Sequence, residues 1–177
     1  EHSQSKIGAI LCAQYYKKSN TIRLGIVDRG VGIKQTIANA YAPEDDVDAI
    51  RLALSPGITG TTRRIGGTAQ NVGAGLFFIK SIAKTNRDFF IIYSGKGMYK
   101  LLKTSLRQKV RIYADPLRDK HSKGNDFPHW QGTAIGVDLN LDSHEEFNNL
   151  LSVIYDIFKK TVHEKRRAYY RKRARFI

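Results

Sequence analysis

Short apolar runs rich in β-branched and aromatic residues recur along the chain and predict strands. The predicted strands cover residues 7–16, 21–27, 88–94, 98–104, 109–114 and 132–141. Only the polar segment 17–20 separates the first two runs, so we expect them to pair as a hairpin. Residues 115–129 are polar and contain two prolines, which predicts a loop.

Apolar residues spaced three and four positions apart predict helices. The predicted helices cover residues 33–41, 43–54, 72–84 and a last segment that begins near 143. Ser143 and Glu146 have the spacing of a capping box at the start of that last helix. Its apolar face is formed by Phe147, Leu150, Ile154, Ile157 and Phe158. Residues 57–73 hold five glycines and four threonines, which indicates a long functional or mobile loop.

The order of the elements favours an α+β fold. Strands occur in hairpins, and helices interrupt them in groups instead of alternating with them one by one. We therefore predict a two-layer sandwich of a mixed, mostly antiparallel sheet with helices on one face. Residues 1–158 are predicted to form this domain, and residues 159–177 a basic helical tail.

Composition narrows the class of protein. The chain has 177 residues, of which 41% are hydrophobic and 26% charged; these values fit one globular domain and exclude a collagen-like or coiled-coil chain. The single cysteine, Cys12, cannot form an intrachain disulfide and favours a reducing compartment. No apolar run approaches the ~20 residues that span a bilayer. We therefore expect a cytoplasmic protein without a transmembrane segment, and the scattered histidines show no metal-ligand spacing.

More than half of the net charge of +14 lies at the C-terminus. Residues 159–177 contain nine basic residues and one acid, which is typical of a solvated helix surface and also of a segment that binds a polyanion. Residues 166–175 interleave arginines with two tyrosines, a pattern that can follow a phosphate backbone and stack on bases. Nucleic acid and an anionic lipid surface are the alternative partners of this segment.

The first motif with a chemical interpretation follows directly after a predicted strand. Asp28, Gly30 and Gly32 stand there in the order Asp-x-Gly-x-Gly. A carboxylate at this place can accept a hydrogen bond from an exocyclic amine, and glycine lets the backbone approach a flat ring. The same residues also fit an ordinary Asp-Gly turn.

Two further motifs follow. Residues 71–76, Asn-Val-Gly-Ala-Gly-Leu, open a helix, whose N-terminal N–H groups form an anion site; a flexible helix start is the alternative. Gly132 and Thr133 begin the last predicted strand, where threonine alone is unremarkable. The chain contains no P-loop, and the 71–76 motif lacks the third glycine of the Rossmann fingerprint.

Together, the three motifs resemble the GHKL ATP-binding superfamily, which includes gyrase B, the 90 kDa heat-shock chaperones, histidine kinases and MutL. The chain looks most like the bacterial histidine-kinase-type and anti-sigma-type ATPase domains over residues 1–141. The resemblance implies that Asp28 binds the adenine amino group and that Thr133 holds a water or an adenine nitrogen beside it. Gly30 and Gly32 would let the backbone pack near the base.

The resemblance also implies a phosphate site. Gly73, Gly75 and Leu76 would meet the phosphates through backbone N–H groups, under an ATP lid formed by residues 34–72. Additional candidates for phosphate contacts are Arg63, Arg64 and Lys80. The two arginines fit a solvated lid as well.

One part of the family pattern is expected outside this chain. Residues Glu1-His2-Ser3 resemble the end of the family's N box, so its magnesium-binding asparagine would lie three residues before Glu1. We therefore expect a C-terminal part of a longer bacterial protein, with an apolar sheet face left exposed. The resemblance implies ATP and magnesium as cofactors of a histidine-kinase-like ATPase, protein kinase or regulatory domain, and it leaves open whether this chain alone turns over ATP. A nucleic-acid-binding or interaction module acting through the basic tail is the alternative.

Overall fold

The computed structural model describes residues 4–67, 72–141 and 147–173, and within these ranges the chain is α+β. The strands are β1 (Ala9–Tyr16), β2 (Thr21–Asp28), β3 (Phe90–Gly95), β4 (Gly97–Leu101), β5 (His121–Gly124) and β6 (Trp130–Asn140). The α-helices are α1 (Gly32–Ala38), α2 (Asp46–Ala53), α3 (Gly75–Thr85) and α4 (Phe147–Arg173). Short 3-10 turns cover Lys17–Ser19 and Pro116–Arg118. The predicted α+β class is confirmed.

The strands form one sheet in the order β1-β2-β6-β3-β4-β5. All neighbouring pairs that the structure describes are antiparallel, so the expectation of a mixed sheet is wrong for this part of the chain. The hairpin of β1 and β2 is confirmed. β6 lies between β2 and β3, and its register places Thr133 opposite both Asp28 and Ser94. This register brings the last residues of β2 and β3 and the first residues of β6 together at one end of the sheet.

The main core lies between the sheet and helices α1 to α3. Phe90 and Ile92 of β3 point to this side and are fully buried, as are Ile50 of α2 and Leu54 just after it. Alternate residues of a strand share a face, so these contacts identify the covered side of the sheet. The arrangement agrees with the predicted two-layer sandwich with helices on one face.

Helix α4 packs on α3 through a second apolar cluster. Phe77 of α3 contacts a stripe of buried residues on α4. The stripe consists of Leu150, Ile154, Phe158 and Val162. Val162 is only 7% exposed, so α4 continues as a packed helix across the predicted boundary at residue 158. The described part of the basic segment, residues 159–173, is therefore helical as predicted, but some of it packs on the domain. The capping box of Ser143 and Glu146 lies outside the described residues.

Two predictions about the second half of the sheet are wrong. Residues 109–114 form no strand, although they alternate like one. They contact α3 instead: Ile112 packs against the apolar cluster of Phe77, and the Tyr113 carbonyl accepts a hydrogen bond from the Lys80 ammonium. β5 lies instead within the predicted loop 115–129. Its sequence, His-Ser-Lys-Gly, is polar because β5 is an edge strand that pairs only with β4.

Strand β1 exposes large apolar side chains. Leu11 is 64% and Tyr15 55% exposed. Leu11 pairs with Ile26, which pairs with the core residue Ile135, so Leu11 lies on the side that helices cover elsewhere. The sheet thus has an exposed apolar face, as expected from the sequence. Among the described residues, no helix combines the length and apolar character needed to cross a membrane.

Candidate functional site

A cavity of about 430 Å³ opens where β2 and β6 meet α1, the loop after α2 and the start of α3. The predicted site residues that line it are Asp28, Gly32, Gly73, Gly75, Leu76 and Thr133. Its apolar walls are Ile33, Ile37, Ala53 and Ile58. Three motifs that lie far apart in the sequence therefore meet around one space.

Asp28 is the last residue of β2 and belongs to a turn held from several sides. Its Oδ1 accepts the Gly30 N–H at 2.8 Å, which fixes the carboxylate. The Gly30 carbonyl accepts a hydrogen bond from Gln131 Nε2 at 2.6 Å. The Asp28 carbonyl accepts one from Trp130 Nε1 at 3.3 Å. The carboxylate is thus set in place before any ligand arrives, which lowers the entropic cost of binding.

Gly132 allows β6 to lie close against this turn. Its φ is +111°, and a Cβ added there would lie 2.2 Å from the Asp28 carbonyl oxygen. Only glycine fits both the conformation and the space. The next residue, Thr133, stands directly opposite Asp28 in the β2–β6 pairing, so both side chains reach the cavity from the same face.

Ser94 is a positioning residue that the motifs did not reveal. It lies near the end of β3, is 2% exposed, and its hydroxyl donates to the Gly132 carbonyl at 2.7 Å. Ser94 Oγ in turn accepts the Ile33 N–H at 2.9 Å, which fixes the start of α1. Gly32 has a φ of +80°, and an added Cβ would approach Ser94 Oγ to 3.0 Å. A lone serine at a strand end carries no motif, so only its register opposite Thr133 identifies it.

The opposite end of the cavity is made of backbone. Gly73 has a φ of +67°, and an added Cβ would lie 2.3 Å from the Ile58 carbonyl oxygen. Its own carbonyl accepts the Gly57 N–H at 3.0 Å, which joins the loop after α2 to the start of α3. Helix α3 begins at Gly75, where an added Cβ would meet no atom within 4 Å. The N–H groups of the first turn lack intrahelical partners and favour an anion.

The cavity therefore has three chemically distinct parts. A carboxylate and a hydroxyl lie at the sheet end, apolar side chains in the middle, and helix-terminal N–H groups at the far end. Among the described residues that line it, Asp28 is the only one with an ionisable side chain. Such an arrangement suits a flat ring that carries an amino donor and an attached anionic group.

Arg63 and Arg64 lie in a different place from the other candidates. They line a second cavity of about 420 Å³, which we call the arginine cavity, together with Ile65, Arg166, Tyr169 and Tyr170. Arg63 Nε also donates to the Ala40 carbonyl at 3.0 Å. In this structure the two arginines thus face α4 and do not line the first cavity.

Lys80 does not line the first cavity either. Its side chain is fully buried, and its ammonium donates to Asp119 Oδ2 at 2.7 Å and to the Tyr113 carbonyl at 3.0 Å. Lys84 lies 3.4 Å from the other oxygen of Asp119. Burial lowers the pKa of Lys80, although the Asp119 carboxylate opposes that shift. Lys80 therefore forms a buried ion pair that ties α3 to the segment after it, and its phosphate contact stays a prediction.

No group of three or more carboxylate, imidazole or thiol side chains within the described ranges is placed to hold a metal ion. We therefore assign no magnesium ligands among these residues. Comparison of the sequence with protein-family models and with curated proteins finds no match. The family resemblance thus rests on the sequence motifs.

Proposed function

We propose that the first cavity binds ATP in the manner of GHKL proteins, and that the chain serves a histidine-kinase-like ATPase, protein kinase or regulatory protein. One observation carries this proposal. Residues from all three motifs that resemble that family in sequence and order line a single cavity: Asp28, Gly32, Gly73, Gly75, Leu76 and Thr133. Motifs that matched by chance would have no reason to converge in space.

Each part of the cavity has a role in the proposal. Asp28 accepts the adenine amino group, with the turn to Gly30 holding its carboxylate in place. Thr133 binds a ring nitrogen or a water beside it, since it stands opposite Asp28. The apolar walls cover the ring faces, because burial of an aromatic ring is favourable. The first turn of α3, from Gly75, receives the phosphates.

The proposal is limited to binding. The described lining contains one carboxylate, and that carboxylate is assigned to adenine, so no side chain there is left as a general base. Magnesium, when bound with ATP, would neutralise phosphate charge. In this proposal the lining residues supply the contacts to the adenine ring and to the phosphates.

The test is a calorimetric titration of the chain with ATP, with and without magnesium chloride. Asp28→Asn should weaken binding by about 10- to 150-fold, since a hydrogen bond to a charged group contributes about 1.5–3 kcal/mol. GTP should bind much more weakly than ATP, because guanine carries a carbonyl oxygen where adenine carries its amino group. Asp138→Asn is the matched control, because Asp138 pairs with Arg23 outside the cavity.

A second pair of variants tests the phosphate end. Gly75→Ala meets no atom of the protein within 4 Å but adds a methyl group at the cavity lining, so ATP binding should weaken while the protein stays folded. Gly25→Ala, which also meets nothing within 4 Å, lies in β2 outside the cavity and should leave ATP binding unchanged. A folded wild-type chain without saturable ATP binding, or equal losses in Asp28→Asn and Asp138→Asn, would refute the proposal.

A further inference from the structure

The arginine cavity combines unpaired cations with exposed aromatic rings. It is lined by three arginines and two tyrosines, and no carboxylate lines it. Among the described residues, no carboxylate oxygen lies within 4.0 Å of the guanidinium groups of Arg63, Arg64 or Arg166. Tyr169 is 44% and Tyr170 65% exposed. Such cations attract an external anion, since no carboxylate of the described ranges compensates them.

The loop and α4 hold this cavity in a fixed shape. Arg166 Nε donates to the Ile65 carbonyl at 2.8 Å, and Lys165 Nζ donates to the Pro56 carbonyl at 3.1 Å. A Cβ added at Gly66 would lie 2.4 Å from Arg166 Nη2, so the backbone lies directly against the guanidinium. Preorganised arginines lose less side-chain entropy when they bind an anion, so a contact made here contributes more affinity.

The positive surface extends beyond the cavity along α4. Exposed basic residues on the helix are Lys159, Lys160, Arg166, Arg167 and Arg171, against the single acid Glu164 over residues 159–171. These residues span about 18 Å at the helical rise of ~1.5 Å per residue. A row of cations of this length suits a chain of phosphates better than one small anion.

The apolar and aromatic side chains of the basic segment distinguish a nucleic acid from a lipid surface as its partner. A membrane-binding helix needs an apolar face that is free to enter the lipid. Within the described part of the basic segment, the Val162 side chain is instead buried against the loop. Exposed tyrosines beside arginines are suited to stacking on unpaired bases.

We propose that the arginine cavity and the adjoining basic face of α4 bind single-stranded nucleic acid. Arg63, Arg64 and Arg166 contact its phosphates, and Tyr170 stacks on a base. This site shares no lining residue with the first cavity, so the proposal stands independently of ATP binding.

The test is fluorescence anisotropy of a labelled twenty-nucleotide oligothymidylate with the full chain, at several salt concentrations. Tyr170→Ala should weaken binding by about 5- to 150-fold, the range for loss of one base stack. Arg64→Gln should weaken binding and lower the salt slope by about 0.7, which corresponds to one phosphate contact on a single strand. Arg107→Gln, an exposed arginine in the loop before residue 109, removes the same charge elsewhere and should leave the affinity and the slope nearly unchanged.

Thermal unfolding of each variant checks that the chain remains folded. Neither Arg64 nor Tyr170 is part of the buried clusters, so both variants should unfold within about 2 °C of wild type. No saturable oligonucleotide binding, or equal losses in Arg64→Gln and Arg107→Gln, would overturn the proposal. Binding to phosphatidylserine vesicles without binding to the oligonucleotide would overturn it in favour of a lipid surface.

Discussion

The buried ion pair on α3 allows a quantitative prediction for the substitution Asp119→Asn. Asp119 is 4% exposed and forms ion pairs with two lysines, Lys80 at 2.7 Å and Lys84 at 3.4 Å. The Lys80 side chain is completely buried, and its ammonium has a second partner in the Tyr113 carbonyl. Loss of the carboxylate leaves that ammonium with neutral partners inside the protein, beside a second cation.

The expected loss of stability at neutral pH is large. Removing one partner of a buried ion pair typically costs about 3–5 kcal/mol, because a buried charge is left uncompensated. Two lysines share Asp119, so we expect a value in the upper part of this range. A domain of this size has a free energy of unfolding of about 5–15 kcal/mol. The midpoint of thermal unfolding should fall by about 6–20 °C.

The loss should also depend on pH in a defined direction. Burial already lowers the pKa of Lys80 below its usual value of 10.5, and the Asp119 carboxylate opposes this shift. In the variant the opposition is gone, so the pKa falls further. The folded variant then binds fewer protons than the unfolded chain, and its stability rises with pH up to about 10.5. The loss of stability has its full value at a pH below the pKa of Lys80 in the folded variant, and it disappears at a pH above the pKa of this lysine in the unfolded chain.

Urea unfolding followed by circular dichroism at about pH 7 and about pH 9.5 measures both effects. Asp138→Asn is the control, because its partner Arg23 is exposed and water screens an ion pair at the surface. Adding Lys80→Met to Asp119→Asn should recover part of the loss, since the buried charge is removed. A loss below about 1 kcal/mol, or an equal loss at both pH values, contradicts the argument.

Two further predictions concern the sheet. An unfavourable φ alone costs about 1–3 kcal/mol. Gly132→Ala should destabilise the protein by more than this, because its Cβ would also lie 2.2 Å from the Asp28 carbonyl oxygen. Gly25→Ala, whose Cβ would meet no atom within 4 Å, should be nearly neutral, and similar losses in both variants would refute this prediction. Burial raises the pKa of Asp88 above 3.8, so the folded state holds the proton more tightly and stability relative to Asp88→Asn should fall from about pH 3 to about pH 6. Denaturant unfolding of the wild type and of Asp88→Asn across this range measures the trend, and parallel pH profiles of the two proteins would contradict it.

Local patterns in the sequence predicted most elements because each obeys its own periodicity. The β1–β2 hairpin follows from two apolar runs and a short polar turn, and α2 follows from its apolar spacing. That helix begins at Asp46 and not at Pro43, because the Asp45 side chain accepts the Asp48 N–H at 2.7 Å and caps it. β5 was not predicted, because a polar edge strand lacks the alternating apolar residues that indicate a strand.

The sequence likewise predicted some residues of the candidate site and not others. Glycines required by a positive φ or a close approach, such as Gly32 and Gly73, are visible in the sequence because no other residue substitutes for them. The locations of Arg63 and Lys80 depend on the tertiary packing of α4 and of the segment around Asp119. Charge alone predicted a phosphate contact for both, and nothing in the local pattern distinguishes a buried lysine from an accessible one.

The loop after α2 forms a wall of both cavities. Ile58, Thr59 and Gly60 line the first cavity, and residues 63–65 line the arginine cavity. A ligand whose binding moves this loop at one cavity therefore changes the affinity at the other. Thermodynamic linkage requires the factor to be the same in both directions. The ratio of ATP affinities with and without a saturating oligonucleotide must equal the ratio of oligonucleotide affinities with and without ATP, so one titration fixes the result of the other.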